Sequence, residues 1–328
     1  MTIRHTCLRR IMMSRLTELI EDAQVIAVIG HISPDGDDIG SCLGTYNYIK
    51  SNYPDKKVQV FLETKISKFG FLSGYDEICT KLNQACGEYD LVIAQDSSCM
   101  ERTGEFAEVF NRAKHSMCID HHKTNPGFCE FNDIRPDASS TSEVLYELFD
   151  EDRIDMKTAE CIFTGIVHDT GVFVYSCTSS HTMEIAGKLL DKGINSEYII
   201  NYSFYRKTYP QVRAWGYALQ NAVLCENGRC VYTIFTWKDM KKFGVTSVEI
   251  DGISSELRQI GGVDFAVIIY QDGPETFKLS MRSSDNLDCA AIAVRHDGGG
   301  HAKAAGCMMK GDPQMIADMI IEEAKEQL

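Results

Sequence analysis

Short apolar runs at 25–29, 58–62, 91–94 and 117–119 alternate with segments of helical period such as 41–50 and 105–113. Runs of this length read as strands buried on both faces, and their alternation with helices predicts an α/β architecture: a mostly parallel sheet with flanking helices. Ligands in open sheets of that kind bind beyond the carboxyl ends of the strands. Three predicted exits carry polar clusters: "GHISPDGDDIG" after the first run, Asp96 after "LVIAQ", and Asp120-His121-His122 after "MCI". A random scatter of surface charge would not keep to strand ends.

His31, Asp35 and Asp37 lie in one turn, whose curvature can aim all three side chains into one volume. Left alone, such a grouping repels itself and shifts its own pKa values; a cation removes the conflict. Oxygen ligands mixed with imidazole suit Mn²⁺, Mg²⁺ or Fe²⁺ better than a thiolate-seeking ion. Asp96 could bridge two ions. In the triplet, one imidazole can ligate while the other reaches a substrate oxygen, with Asp120 orienting a ring from behind. Asp169, after the apolar "CIFTGIV", joins the set. Each of these residues alone reads equally well as a cap or turn, but the set as a whole does not. His168 reads as a packed neighbour, and Ser140-Thr141-Ser142-Glu143 as a helix cap rather than a substrate contact.

A chain of 328 residues is comfortable for two domains, and 44% hydrophobic with 24% charged residues is ordinary for a folded globular protein. The formal net charge of −14 opposes a grip on long duplex nucleic acid, which draws its affinity from Lys and Arg. Thirteen cysteines without a CxxC pair suggest reduced thiols and a cytoplasmic protein. No apolar stretch approaches the ~18 residues of a membrane span. The acid-free, arginine-bearing first fifteen residues read as an extension upstream of a start at Met12 or Met13, with a transit peptide as the alternative.

Residues 139–220 look largely helical, with Tyr202, Tyr205 and Tyr209 expected to pack the connecting region in preference to stacking on bases. From residue 222 strands, glycine turns and a terminal helix at 314–325 indicate a smaller α+β domain. The expected division is 14–195, a helical connector at 196–221, and 222–328. Gly298-Gly299-Gly300-His301 offers amides unobstructed by side chains, a cradle for an anionic phosphate.

In this order, "GHISPDGDDIGS", "VIAQDSS", "CIDHHKT" and "GIVHDTGVF" resemble the DHH phosphoesterase superfamily, and "DGGGHAKAAG" at 297–306 resembles the signature of its associated C-terminal domain. The resemblance runs from about Glu18 to the C-terminus. It implies two Mn²⁺ ions, with Mg²⁺ or another divalent ion as substitutes. His31, Asp35 and Asp96 would hold one ion; Asp37, Asp96, His121 and Asp169 would hold the other, Asp96 bridging. His122 would sit beside the attacking water or the phosphate, supported by Asp120. Arg282, Gly299, Gly300 and His301 would clamp the terminal nucleotide.

The two-domain length is similar to that of the bifunctional oligoribonucleases and phosphoadenosine-phosphate phosphatases. It implies hydrolysis of short RNA, dinucleotides and pAp, no long duplex as partner, and a possible homodimer. Two alternatives stay open: a phosphodiesterase of linear or cyclic dinucleotide signals, and a catalytically silent nucleotide-binding module, which the intact ligand residues disfavour.

Overall fold

A computed structural model describes residues 13, 15–250 and 252–328, so most of the basic leader lies outside the described residues. The chain divides into two compact units, one ending at Arg206 and the other beginning at Lys207.

The first unit is built on six strands, β1 (Val25–Ile29), β2 (Lys57–Phe61), β3 (Ile78–Cys79), β4 (Tyr89–Gln95), β5 (Ala113–Asp120) and β6 (Phe131–Ile134). Their order is β3-β2-β1-β4-β5-β6, and every pairing is parallel. Side chains alternate between the faces. Ile26, Leu91, Ile93, Met117 and Ile119 pack against one core and Ala27, Ile29 and Val92 against another, with Phe106 and Val109 in the second. Burial on both faces explains why these strands read as unbroken apolar runs.

Helices α1 (Gly36–Asn52), α2 (Thr141–Leu148) and α3 (Met156–Asp169) contribute to the first of these cores, as does the helical segment 15–22 through Leu16, Leu19 and Ile20. Two further helices, α4 (Ser180–Asp191) and α5 (Ser196–Ile200), add Ile185, Leu189 and Ile199 to the same core. From β1 the chain moves outward to β2 and β3, then returns to β4 on the other side of β1. The strand order therefore reverses between β1 and β4, the place where such sheets open a crevice.

One expected element differs. The helix read at 105–113 is a 3₁₀ stretch, Met100–Phe106, followed by a single α turn, Ala107–Phe110, and Ala113 already belongs to β5. Gly104 at φ +59 breaks the helical path, and pairing of Ala113 with Tyr89 outweighs the local helical pattern.

The second unit begins with α6 (Tyr209–Gln220), followed by β7 (Val223–Cys225), β8 (Cys230–Phe235), α7 (Trp237–Phe243), α8 (Ile253–Arg258), β9 (Phe265–Gln271) and β10 (Thr276–Ser283). It ends with α9 (Cys289–Arg295), β11 (Gly299–His301), β12 (Ala304–Lys310) and α10 (Pro313–Lys325). The sheet order is β11-β12-β10-β9-β8-β7, antiparallel except for β8 with β9. Phe265, Val267 and Ile269 face a core shared with Ile316 and Ile320 of α10, while Ala266 and Ile268 face one shared with Ile253 and Leu257 of α8. Every described cysteine is a free thiol. Among the described residues no helix is long and apolar enough to cross a membrane.

Candidate metal centre

The exits of β1, β4 and β5 are adjacent in the sheet, and they bring the sequence-predicted residues together. Asp35 is both cap and candidate ligand: its Oδ1 accepts from the amides of Asp37 at 3.0 Å and Asp38 at 3.1 Å, while Oδ2 lies 3.9 Å from His31 Nε2. Asp37 is fully buried in the first turn of α1. Its two oxygens accept from the amides of Thr141 (2.6 Å) and Ser142 (3.0 Å), the N-terminus of α2.

Asp96 leaves β4 at φ +52, a left-handed conformation that Asp tolerates better than most residues. Its Oδ2 is 3.6 Å from His31 Nε2; its Oδ1 is 3.6 Å from His121 Nε2 and 3.7 Å from His122 Nδ1. His121 Nε2 lies 3.1 Å from Asp169 Oδ2 at the end of α3. Three groups result, each with its ligand atoms within 4.8 Å of one another: His31, Asp35 and Asp96; Asp37, His121 and Asp169; Asp96, His121 and His122. Asp96 is common to the first and the third.

The electrostatics are those of a site short of positive charge. Burial opposes the charged form of His31, but Asp38, Asp96 and Asp35 raise its imidazole to about 10. His121 is likewise raised to about 10 against burial, by Asp169, Asp96 and Asp37. Burial, with Asp96 and Asp169 nearby, pushes Asp37 well above the carboxylate range, and burial lifts Asp169 to about 6. Asp96 resists its own burial and stays at about 2, held by His31, His121 and His122. Without a cation the imidazoles must carry protons as counter-charge. With a divalent ion the same atoms become neutral nitrogen and anionic oxygen donors, a set that fits a hard or borderline ion.

His31 Nδ1 lies 2.8 Å from the carbonyl of Ile32 and 2.9 Å from Arg102 Nη2. It donates to the first or accepts from the second, and only the former leaves Nε2 free as a ligand. His122 Nδ1 donates to Asp120 Oδ1 at 2.7 Å, and the other oxygen of this buried carboxylate accepts from Asn125 at 2.6 Å. The 31% exposed His122 thus has its ring fixed from behind.

Sequence reasoning missed Thr141 and Ser142. Ser140 caps α2 as expected, accepting from the Glu143 amide at 3.0 Å, but Glu143 reaches Ser139 and Thr182 rather than closing a reciprocal box. The Thr141 hydroxyl instead donates to Asp96 Oδ1 at 2.9 Å. The available signal was a helix N-terminus with hydroxyls in a chain whose acids need amides. Asp38 was also passed over. Fully buried, it accepts from the His31 amide at 3.2 Å, and among the described residues its Oδ2 has no hydrogen-bond partner. His168 is packed as expected, against Phe69 and Phe204, with Nε2 3.0 Å from Ser203 Oγ. Burial holds it neutral, at about 3.

In the second unit, Ala304 is in register with both Arg282 of β10 and His301 of β11. Directly opposed residues project to one face, so Arg282 and His301 flank a single alanine. The next row of that face is Ser280, Gly306 and Gly299, so the strip between the two basic side chains carries almost no bulk. Gly300 has φ +144, and a Cβ there would run into Ala304 and Ala305. The tight strand pairing needs this glycine, whereas a Cβ at Gly299 would meet nothing.

The family model for the DHH family, N-terminal domain, matches residues 25–166, and that for the DHHA1 domain matches 227–328. The chain belongs to the DHH family of phosphoesterases. This DHH protein is similar to the bifunctional oligoribonuclease and PAP phosphatase NrnA of Bacillus subtilis, 29% identical over 88% of this chain and 92% of the relative. The cyclic-di-AMP phosphodiesterase GdpP of Geobacillus thermodenitrificans is 25% identical over 97% of this chain, which matches 49% of that longer protein. Among solved structures, an exopolyphosphatase-related protein of Bacteroides fragilis superposes with a TM-score of 0.90 at 27% identity, covering 97% of this chain and 96% of the other.

Proposed function

We propose that this DHH phosphoesterase hydrolyses short oligoribonucleotides and 3′,5′-bisphosphonucleotides such as pAp, releasing nucleoside monophosphates, with two Mn²⁺ ions as cofactors. The observation that carries the reading is Asp96, whose two oxygens face His31 on one side and His121 on the other, each at 3.6 Å. A carboxylate so placed suits a bridge between neighbouring ions. His31 and Asp35 would complete one ion's ligands; Asp37, His121 and Asp169 would complete the other's. Two bound ions would supply an activated water and neutralise charge on the phosphoryl group.

The remaining work belongs to side chains. Asp120 fixes the proton of His122 on Nδ1 and raises its pKa, so that Nε2 can donate to a phosphoryl or leaving oxygen. Arg282 and His301, spaced by Ala304, would bind the phosphate of the terminal nucleotide, with the Gly299 and Gly300 backbone beside it. Likeness to NrnA over nearly the whole of both chains supports this substrate class. A cytoplasmic, dimeric enzyme with domains near 14–195 and 222–328 is part of the same reading.

A second reading, turnover of dinucleotide signals, is favoured by the likeness to GdpP across 97% of this chain. Initial rates with Mn²⁺ on pAp, an RNA dinucleotide, a longer RNA and linear pApA separate the two. Fastest turnover of pAp or the dinucleotide supports the first reading, and fastest turnover of pApA the second. No hydrolysis of any of them, with metal bound, overturns both.

A further inference from the structure

Of the three tyrosines expected to pack the connecting region, Tyr202 is half-buried against Phe71 and Tyr198, whereas Tyr205 and Tyr209 are exposed. Tyr198 is 46% and Tyr205 52% exposed. After α5 the chain continues as a wide π turn, Asn201–Tyr205, and Tyr198, Asn201, Tyr202, Tyr205 and Arg206 line an open concavity of about 480 Å³ within the first unit. Tyr198 and Tyr202 are stacked, with centroids 5.2 Å apart and 22° between planes, and Phe71 props both edge-on at 5.5 and 5.7 Å. The Arg206 guanidinium sits 4.7 Å from the Tyr202 ring, and among the described residues no carboxylate pairs with it.

The inner side of the same turn touches the candidate centre's surroundings. Ser203 is buried and meets His168, the neighbour of Asp169, at 3.0 Å, and the Phe204 ring is 5.4 Å from that imidazole. The sequence through and after this turn is free of acid. From Tyr198 to Cys225 the sequence holds Arg206, Lys207 and Arg213 and no acid, in a chain of net charge −14. Exposed, propped aromatic rings beside the Arg206 guanidinium match what single-stranded nucleic acid needs: flat faces for bases and positive charge for the backbone.

We propose that Tyr198, Tyr202, Tyr205 and Arg206 form a stacking subsite for single-stranded RNA, taking bases of an oligoribonucleotide beyond the nucleotide being cleaved. The inference rests on the oligoribonuclease reading and adds a reason for such an enzyme to hold more than two nucleotides. Asn201, on the same face, offers an amide to a base edge.

Two measurements test it, using the full chain. In EDTA, where no cleavage occurs, anisotropy of fluorescein-labelled pentaadenylate should report binding that Tyr205→Ala and Arg206→Glu each weaken about five- to tenfold. With Mn²⁺, the ratio of kcat/KM for the pentanucleotide to that for pAp should fall by a similar factor, carried by KM. Circular dichroism confirms that the variants fold. Unchanged RNA affinity and an unchanged ratio in folded variants would overturn the proposal. So would a shift from dimer to monomer in sedimentation with RNA binding intact, which assigns the face to a second copy of the chain. Because the EDTA measurement needs no turnover, failure of the oligoribonuclease reading would show as absent hydrolysis with RNA affinity still altered by the variants.

Discussion

The Thr141 hydroxyl donates to Asp96 Oδ1 at 2.9 Å, the same oxygen that faces His121 at 3.6 Å. One residue at the start of α2 therefore orients the carboxylate that lies between His31 and His121, while its amide anchors Asp37. Thr141→Val, which keeps shape and amide but removes the hydroxyl, should weaken Mn²⁺ binding about tenfold. Thr141→Ser should restore it, and isothermal titration with the metal-free protein checks both.

Asp96→Ala should abolish hydrolysis of pAp and of dinucleotides while the protein stays folded. Its carboxylate is the meeting point of His31, His121 and His122, so no neighbouring acid replaces it. Retained activity at Mn²⁺ saturation would contradict the two-ion arrangement.

Gly165 of α3 has no room for a side chain. A Cβ there would collide with the Ser142 hydroxyl and the Asp37 carboxylate. Gly165→Ala should cost about 1–3 kcal/mol of stability from overpacking. It should also displace Asp37, so that added Mn²⁺ no longer raises Tm as it does for the wild type.

Metal affinity should rise with pH. In the metal-free site His31 and His121 hold protons up to about 10, and an ion must displace both. Titrations in buffers of different ionisation enthalpy at pH 7 should show at least two protons released, from His31 and His121, with the raised Asp37 carboxyl adding to them. The same shifts set the stability of the metal-free protein. Both imidazoles have folded pKa values above their ordinary 6.5, so their contribution is full below pH 6.5 and is lost as pH rises toward 10. Asp169, raised from 3.8 to about 6, acts in the same direction, losing its contribution between those values. Thermal melts in EDTA should therefore show Tm falling through the alkaline range, and Mn²⁺ should stabilise most where the metal-free protein is weakest.

Asp120→Asn should leave metal affinity nearly intact and lower kcat, because His122 loses the carboxylate that holds its ring and raises its pKa. The acidic side of the kcat–pH profile should change shape in this variant, which a merely structural loss would not cause.

The parallel sheet was legible because its strands are buried on both faces and so appear as bare apolar runs, and the acids after them stood out as groups needing a partner. Thr141 was not legible in its role. Its contact with Asp96 spans 45 positions and depends on where α2 docks, which no local pattern encodes. The helix at 105–113 failed for a related reason: the demand of β5 for a partner in β4 overrides local propensity. Of the tyrosine stripe, Tyr202 packs as expected while Tyr205 and Tyr209 stay exposed, because aromatic spacing on a helix does not say which face the rest of the chain will cover.

The candidate ligands run from His31 to Asp169 and come from the ends of β1, β4 and β5 and the two ends of α1 and α3 that face them. None of the three groups can be assembled from one local stretch of chain. The local turn offers only His31, Asp35 and Asp37, so strand pairing must bring Asp96, His121 and Asp169 to it before any of the three groups is complete. The proposed ions would therefore enter after the sheet has formed, as a seal on it rather than a template for it. A freshly made chain starved of the ion would wait folded, with its imidazoles protonated in the ion's stead.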